Sequence, residues 1–357
     1  MSKSVQIKIK FKELGFDLIG FSKPYLDNKL TENFKKRASR DDLPPFMHSD
    51  LNSVLHPKRL HPWLETVIVV GLSYASSQNN DTRGFISSYT RGRDYHKVMA
   101  EMIKEGLKYL KKIYKDIKYS YYIDNGPVLE KVLAQQAGLG WIGKNTLLIN
   151  ENFGSYIFLG EIFINKKLVY NEKSKNNCKD CTQCMDNCPT NSLHTPYYLD
   201  YRTCRSNLTQ IKGIFKKEEE MMMGNCIWGC DECQINCPYN NNIPRDLHPA
   251  FEAKIGGNIV EILNYNRKGF PPSWTSSALS WRGMRIIQRN ALIVLGNLGL
   301  KDEKYKKLIV KKMDDRSKII RHYAYQTYLK LGFNLEHIKG KIDQEKEIDI
   351  DNIIKRK

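Results

Sequence analysis

All nine cysteines of this 357-residue chain lie in one short stretch, between Cys178 and Cys237. They form two runs, each with closely spaced cysteines and a proline after the last one: Cys178-x2-Cys181-x2-Cys184-x3-Cys188-Pro189 and Cys230-x2-Cys233-x3-Cys237-Pro238. A cubane cluster needs four soft thiolates that converge on it, and a short tight loop can supply only three of them. The fourth must come from far along the chain, so we expect the two runs to share ligands and to fold together.

This spacing is typical of a bacterial ferredoxin with two 4Fe-4S clusters, in which the cysteine before proline binds the other cluster. A zinc ribbon is a weaker alternative, because it uses two Cys-x2-Cys pairs and no run that ends in proline. Disulfides are disfavoured as well. The segment from Met1 to Lys12 alternates lysines with apolar residues and does not read as a signal peptide, so we expect a cytoplasmic protein whose thiols stay reduced.

The second run is incomplete, since Ile227 stands where a full motif would place a cysteine. One ligand must therefore come from Cys204 or from Cys226. Cys226 lies one step from the expected position, whereas Cys204 is farther away in the sequence. Two clusters need eight thiolates, so one of the nine cysteines is left over, and the spacing leaves both choices open.

The charge balance is strongly basic, with 57 Lys and Arg against 39 Asp and Glu and a net charge of +18. Such a balance favours an anionic partner, for example a nucleic acid. The alternative is a solvated basic surface without a ligand, because lysine is abundant throughout the chain. The length predicts two or three domains. No apolar run reaches the roughly 18 residues of a membrane-spanning helix, so no membrane partner is expected.

Residues 1–170 predict a mixed α/β domain. The β-branched run from Thr66 to Tyr74 is typical of a buried central strand. A second strand, Tyr119 to Ile123, is followed by Asp124 and by four glycines between Gly126 and Gly143. An acid at the exit of a buried strand, followed by glycines, is typical of the rim of a pocket for a large flat ligand. The alternative is that the glycines serve turns and that Asp124 caps a helix.

The chain after the cysteines predicts helices. Apolar residues recur at helical spacing over Trp281 to Leu298 and over Ser317 to Leu331, and a related Arg and Ala pattern recurs about 32 residues apart. That period is near the short end of HEAT-like helix-pair repeats, and a plain α-helical cap is the alternative. Residues 336–357 mix both charges with little apolar content and predict a frayed helix or tail.

Several blocks of the sequence, in this order, resemble those of the epoxyqueuosine reductases: Tyr89-x-Arg-Gly-x-Asp94-Tyr-His96, Asp124-x-Gly-Pro-Val-Leu-Glu130, Ala137-Gly-Leu-Gly-Trp-Ile-Gly-Lys-Asn145, Cys188-Pro-Thr, Cys204, and Gly229-Cys230-Asp-Glu-Cys233-Gln. The resemblance covers roughly residues 10–300. It implies an α+β multidomain chain with four parts: a nitroreductase-like α/β cobalamin-binding domain (1–170), a double 4Fe-4S ferredoxin-like domain (171–245), a HEAT-like tRNA-binding region (246–335) and a charged tail (336–357).

The reaction that the resemblance implies is the reduction of epoxyqueuosine to queuosine at the wobble position of tRNA, the last step of queuosine synthesis. Electrons would pass through two 4Fe-4S clusters to the Co(I) state of base-off cobalamin. Asp124 is the implied proton donor, and we expect burial away from cations to raise its pKa. His96 is not assigned to cobalt, because Met99 stands where the histidine-ligating motif has glycine.

The resemblance also implies a set of ligands. The first cluster would be bound by Cys178, Cys181, Cys184 and Cys237, and the second by Cys188, Cys204, Cys230 and Cys233, which makes Cys226 a spare thiol. Cobalamin contacts are expected at Ser87, Asp94, Asp124, Asn145, Leu148 and Leu159. Contacts to tRNA phosphates are expected at Arg282, Arg285, Arg289, Lys312 and Arg321. An unpaired anticodon base could stack on Trp274, Trp281 or Tyr323.

The expected partners are tRNA that bears epoxyqueuosine and a low-potential electron donor that no motif identifies, and the chain is expected to be a monomer. Two other functions remain open. A corrinoid iron-sulfur reductase of a small molecule, such as an organohalide, would not need a basic face of tRNA size. A non-catalytic electron carrier would explain the cysteines but would not need the long α/β domain.

Overall fold

A computed structural model describes residues 1–44, 46–77, 83–265, 271–345, 347–350 and 353, without the side chains of 28–30. The strands are β1 Leu18–Ser22, β2 Thr66–Ser73, β3 Phe85–Ile86, β4 Tyr119–Tyr122, β5 Trp141–Ile142, β6 Leu148–Ile149, β7 Ile157–Ile164 and β8 Cys226–Trp228. The α-helices are α1 Lys3–Glu13, α2 Asn28–Ala38, α3 Leu51–Leu55, α4 Tyr95–Ile113, α5 Glu130–Gln136, α6 Gln183–Asp186, α7 Arg205–Leu208, α8 Lys217–Met222, α9 Glu232–Ile235, α10 Ile259–Asn264, α11 Pro272–Thr275, α12 Met284–Asn297, α13 Glu303–Lys312, α14 Lys318–Lys330 and α15 Lys339–Gln344.

The amino-terminal part is built on an antiparallel sheet with the strand order β1-β2-β7-β4. Every residue of β2 is buried, so the prediction of a buried central strand from Thr66 onward is confirmed. The prediction of a buried strand before Asp124 is wrong. β4 is an edge strand with one neighbour, β7, and its residues are only half-buried.

Helices cover both faces of this sheet, because alternate side chains of a strand point to opposite sides. On one face, Ile162 of β7 packs in a core with Phe11 of α1 and Ile103 of α4. On the other face, Phe163 packs in a second core with Leu133 of α5. The Asp124 loop connects the edge strand β4 to α5, so it lies at the border of the second layer.

The cysteine region is joined to both neighbouring parts of the chain. β3 pairs in parallel with β8, which places Phe85 opposite Cys226. A third hydrophobic core contains Ile86 and Trp228 together with Ile287 of α12 and Tyr328 of α14. The boundary predicted at residue 245 therefore crosses a shared core.

The carboxy-terminal part is helical, as predicted, with two differences. α12 begins at Met284 and not at Trp281, because Gly283 has a φ of +82° and separates the helix from a short 3-10 turn. The prediction of a frayed tail is wrong for the described residues, since Ile348, Ile350 and Ile353 are buried in the third core. Residues 346, 351–352 and 354–357 of the predicted tail lie outside the described residues.

Within the described ranges, no helix is both long and apolar enough to cross a membrane.

Candidate active site

A cavity of about 370 Å³ lies between the amino-terminal α/β part and the segment that leads into α12. Its lining from the α/β part includes Tyr89, Asp94, Tyr95, His96, Asp124 and Asn125, with Phe46 nearby. From the other side come Gln210, Ser277, Ala278, Ser280 and Trp281. The cavity thus brings the predicted proton donor Asp124 together with Asp94 and with an aromatic residue of the predicted tRNA-binding region.

His96 is held between two carboxylates at the wall of this cavity. Asp94 caps α4 by accepting the main-chain N–H of His96, and the same carboxylate oxygen lies 2.8 Å from Nδ1 of the His96 ring. Nε2 of the ring lies 3.4 Å from Oδ2 of Asp124 and 3.1 Å from the side-chain amide of Asn125. Asp94 thus caps α4, and the His96 ring is bound to a carboxylate on each side. The sequence prediction missed it, although an Asp-x-His pair at a helix start was the available signal.

The carboxylates of Asp94 and Asp124 determine whether the His96 ring carries a proton near neutral pH. Burial lowers the pKa of His96, but its contacts with Asp124 and Asp94 outweigh burial and raise this pKa to about 9. Burial alone would raise the pKa of Asp124, but hydrogen bonds from His96 and Tyr95 hold it below its usual value. The expectation of a raised pKa for Asp124 is therefore wrong for this structure, because a cationic ring and a phenol stand beside the carboxylate. Near neutral pH the proton is on His96.

The main chain of Asp124 is in the left-handed region, with a φ of +61°. Its N–H donates to Oε1 of Glu130 at 2.5 Å, and its side chain is 53% exposed. The N-cap of α5 is Leu129, so the alternative in which Asp124 caps this helix is wrong. The carboxylate is therefore free to face the cavity while the main chain is tied to the helix behind it.

The glycines after Asp124 serve close packing within the protein. A Cβ on Gly126 would come within 2.6 Å of the Tyr122 ring, and one on Gly140 would come within 2.2 Å of the carbonyl oxygen of Ile149. Their Cβ positions therefore face protein atoms, as the turn interpretation predicts, and do not form the open ligand-facing rim that the sequence suggested.

The four cysteines predicted for the first cluster line one small pocket, together with Lys144, Asn145, Ile149, Pro238 and Tyr239. Burial raises the pKa of Cys184 to about 11, and the next causes are the nearby thiolates of Cys237, Cys178 and Cys181. Cys181 is exposed, so this group of thiols reaches the protein surface. The structure brings together the ligands predicted for this cluster from both cysteine runs.

The four cysteines predicted for the second cluster also lie near one another. Burial raises the pKa of Cys204, and the thiolates of Cys230 and Cys188 raise it further. Burial also raises the pKa of Cys233, and Cys230, Cys204 and Cys184 of the first group raise it further. The two groups are therefore adjacent.

Cys226 lies beside this second group. It is buried and hydrogen-bonded to Cys230, and its Sγ lies 3.9 Å from Nη1 of Arg205. Both candidates for the missing ligand, Cys204 and Cys226, are thus neighbours of Cys230. The choice of Cys204 stays a prediction.

Lys131, in the first turn of α5, lies near both Asp124 and Cys233 of the second cysteine group. The surrounding protein lowers the pKa of Lys131, while Glu130, Asp124 and Cys233 oppose this effect. The lysine is therefore close to the predicted proton donor Asp124 and to the predicted cluster ligand Cys233.

The remaining residues predicted to contact cobalamin lie outside the lining of the main cavity. Asn145 is at the first cysteine group, and its side-chain amide donates to the carbonyl oxygen of Cys233. Ser87 is buried and donates through Oγ to Asp231 at 2.5 Å, next to the second group. Leu148 and Leu159 are buried in the core beneath α5. Of the predicted set, the structure brings only Asp94 and Asp124 together in the main cavity.

Two aromatic rings and a guanidinium form an exposed platform at the edge of the cavity. The Arg282 guanidinium lies 3.8 Å from the centroid of the Trp281 ring and 5.1 Å from that of Phe46. Trp281 is 54% exposed and Phe46 is 47% exposed. Arg285, in the first turn of α12, is exposed as well. We call Phe46, Trp281 and Arg282 the aromatic platform.

Other residues predicted to meet tRNA are structural, which corrects the prediction. Arg289 is fully buried, and its guanidinium donates to the carbonyl oxygens of Ile211 and Gly213. The Lys312 side chain is 8% exposed and is paired with Asp315. The Arg321 side chain is 14% exposed and forms ion pairs with two glutamates, Glu345 and Glu347.

Two of the three aromatic residues that were predicted to stack on an anticodon base are buried in the third hydrophobic core. Trp274 and Tyr323 are 2% and 1% exposed, which leaves Trp281 as the accessible ring among them.

The chain is similar to known proteins both in sequence and in structure. Residues 55–125 match the family described as epoxyqueuosine reductase QueG, DUF1730, and residues 177–240 match a 4Fe-4S double cluster binding domain. The epoxyqueuosine reductase of Lactococcus garvieae is 33% identical over 82% of this chain and 87% of its own length, and that of Bacillus cereus is 30% identical over 80% and 78%. A crystal structure of an epoxyqueuosine reductase with an epoxyqueuosine-modified tRNA-Tyr stem loop matches 99% of this chain and 96% of its own, with a TM-score of 0.91 and 28% identity. The chain belongs to the epoxyqueuosine reductase family.

Proposed function

We propose that this chain reduces epoxyqueuosine to queuosine at the wobble position of tRNA. The observation that carries the proposal is the cavity in which Asp124 and His96 face an exposed aromatic platform. A base that is flipped out of an anticodon loop needs such a combination, because it must be held by stacking while a proton donor reaches it. Membership of the family and the double-cluster domain support the same reaction.

Electrons enter through the first cysteine group and leave through the second. The first group reaches the surface at Cys181, where a low-potential donor can approach. Cys184 and Cys233 lie close enough to affect each other electrostatically, which brings the two clusters side by side. We assign Cys178, Cys181, Cys184 and Cys237 to the first cluster, and Cys188, Cys204, Cys230 and Cys233 to the second.

Cobalamin would be held beside Lys131, which is close to both Asp124 and Cys233. An acceptor at this position would lie between the electron source and the substrate cavity. His96 cannot serve as a cobalt ligand in this arrangement, because its two ring nitrogens face Asp94 and Asp124. When bound, reduced cobalamin supplies a strongly reducing and nucleophilic cobalt centre.

The protein's own part in the reaction is to supply a proton to the oxygen that leaves the epoxide carbon. Asp124 faces the cavity and is the group that touches substrate. His96 carries the proton near neutral pH and lies 3.4 Å from Oδ2 of Asp124, so the proton passes from the His96 ring through the Asp124 carboxylate to the leaving oxygen. Asp94 holds the ring in place from its other side.

The finer description of the fold is part of this proposal. An antiparallel sheet with helices on both faces is compatible with a nitroreductase-like domain, and the packing of α12 against α14 is compatible with a HEAT-like repeat. We further propose a cytoplasmic monomer that receives electrons from a separate low-potential donor.

Turnover tests the proposal directly. Purified protein with full iron and cobalamin content is incubated without oxygen with a strong reductant and tRNA that bears epoxyqueuosine, and the nucleosides are then analysed. We expect queuosine to appear, and we expect none when cobalamin is omitted. Absence of queuosine from a fully loaded sample would rule the proposed reaction out.

Loss of the aromatic platform should weaken tRNA binding. We expect Trp281→Ala to bind a modified anticodon stem loop about tenfold more weakly, because base stacking on an aromatic side chain contributes about 1–3 kcal/mol. Filter binding at several salt concentrations measures the effect and its electrostatic share. Tyr25 is 58% exposed and does not line the cavity, so Tyr25→Ala serves as the control. Equal affinity of the two variants would remove the platform from the RNA interface.

A further inference from the structure

Glu161 is a carboxylate in the middle of the central sheet. It lies in β7, opposite Val69 of β2 on one side and Tyr122 of β4 on the other, and it is fully buried. Its neighbours on the same face of the strand, Leu159 and Phe163, belong to the apolar core beneath α5. A carboxyl group at such a position destabilises the fold unless it is neutral and hydrogen-bonded.

The group that Glu161 faces is Glu130, the first residue of α5. Both oxygens of Glu161 lack a hydrogen bond of good geometry to the described residues. Burial raises the pKa of Glu161 well above its usual value, and the carboxylates of Glu130 and Asp124 raise it further. Burial and the charge of Asp124 likewise raise the pKa of Glu130, to about 7. Glu161 therefore keeps its proton to a higher pH than an exposed glutamate does, and the side chain of Glu130 is its partner.

Glu130 is in turn bonded to the active-site loop. Its Oε1 accepts the main-chain N–H of Asp124 at 2.5 Å. Asp124 has a left-handed main chain, which a residue other than glycine keeps only when its surroundings hold it. The side chain of Glu130 thus interacts with Glu161 of the buried strand β7 and with the main chain of Asp124.

We propose that Glu130 and Glu161 form a proton-sharing carboxyl pair that fixes the main chain of Asp124, with Glu161 as a positioning residue. Glu161 donates its proton to Glu130, and Glu130 uses its other lone pairs to hold the Asp124 N–H. This inference rests on the proposed function, since it explains how the proton donor of that reaction is held.

The test uses two substitutions of Glu161. In Glu161→Met the side chain fills the same volume without a polar group. In Glu161→Gln the amide can still donate a hydrogen bond to Glu130, but it cannot ionise. We expect Glu161→Met to melt at a higher temperature than the wild type and to turn over at least tenfold more slowly, with an unchanged KM for the tRNA stem loop. We expect Glu161→Gln to keep kcat within about threefold. Ile162→Met, on the opposite face of β7, is the matched control.

The hydrogen exchange of the Asp124 main-chain amide is a second measurement, and it needs no bound cofactor. This exchange, measured by mass spectrometry on the cofactor-free protein, should be faster in Glu161→Met than in the wild type and should stay slow in Glu161→Gln.

The melting temperatures should also depend on pH. The charged groups that act on Glu161 are Glu130 and Asp124, both of them acids. Lys131 acts on Glu130, and His61 contacts the Tyr122 hydroxyl and the Phe163 ring. The folded protein keeps the Glu161 proton at pH values where the unfolded chain, with a pKa near 4.5, has lost it. The wild type therefore loses stability relative to Glu161→Met as pH rises above that value.

Three results would overturn the inference: a kcat of Glu161→Met equal to that of the wild type, a Glu161→Gln variant as slow as Glu161→Met, or a melting temperature of Glu161→Met below that of the wild type. Failure of the proposed function looks different, because the wild type itself would then form no queuosine.

Discussion

Asp124→Asn is expected to lower kcat at least a hundredfold while the protein still folds, binds both clusters and binds cobalamin. General acid catalysis contributes about 10²–10⁴-fold, and an amide of the same shape cannot donate this proton. The side chain faces the cavity and makes no contact in a hydrophobic core, so its loss leaves packing intact. Anaerobic turnover gives the rate, and iron content and the absorbance of bound cobalamin show whether the variant is loaded. Full activity in a loaded variant would remove Asp124 from the mechanism.

The same variant has a second expected signature at His96. Its pKa of about 9 depends on Asp124 and Asp94, so loss of one carboxylate should lower it, as NMR titration of the ring can measure. A raised histidine pKa adds stability that is fully present below about 6.5 and is lost as pH rises through about 9. Turnover of the wild type should fall over the same upper range, because His96 then no longer carries a proton. Asp116→Asn changes an exposed carboxylate outside the cavity lining and should leave both the titration and the rate unchanged.

Cys204→Ser is expected to remove about half of the iron and all turnover, whereas Cys226→Ser should keep both clusters. Cys204 is near Cys188 and Cys230, two ligands of the proposed second cluster, and a cubane that loses one of its four thiolates is not retained. Without that cluster, electrons from the surface group have no route to the proposed active site around Asp124. Iron analysis and electron paramagnetic resonance of the reduced protein distinguish the two variants. If Cys226→Ser loses a cluster and Cys204→Ser does not, the assignment of the two cysteines must be exchanged.

Features that depend on short-range spacing were predictable from the sequence. The two cysteine runs indicate that they share ligands, because a short loop supplies only three thiolates to one cluster, and the structure brings cysteines of both runs together. The buried strand from Thr66 was also predictable, since a run of β-branched residues is typical of a strand with neighbours on both sides.

Features that depend on long-range packing were not predictable. The sequence predicts that Arg289 contacts a phosphate, because it lies in a basic helical region. In the structure Arg289 is buried, and its guanidinium donates to the carbonyl oxygens of Ile211 and Gly213. Asp124 reads as a carboxylate away from cations, but the fold places the His96 ring beside it. In each case the deciding partner comes from a distant segment, and no local pattern identifies it.

The parallel pairing of β3 with β8 sets an order on folding during synthesis. Ser87, directly after β3, bonds to Asp231, which is 144 residues later in the chain. Contacts of such long range form late, because the loop between them must be ordered before they add stability. Asp94 and His96 follow this segment closely, so the proton site acquires its final form only after the second cysteine run has left the ribosome. A nascent chain therefore gains its reactive carboxylate and its electron supply together.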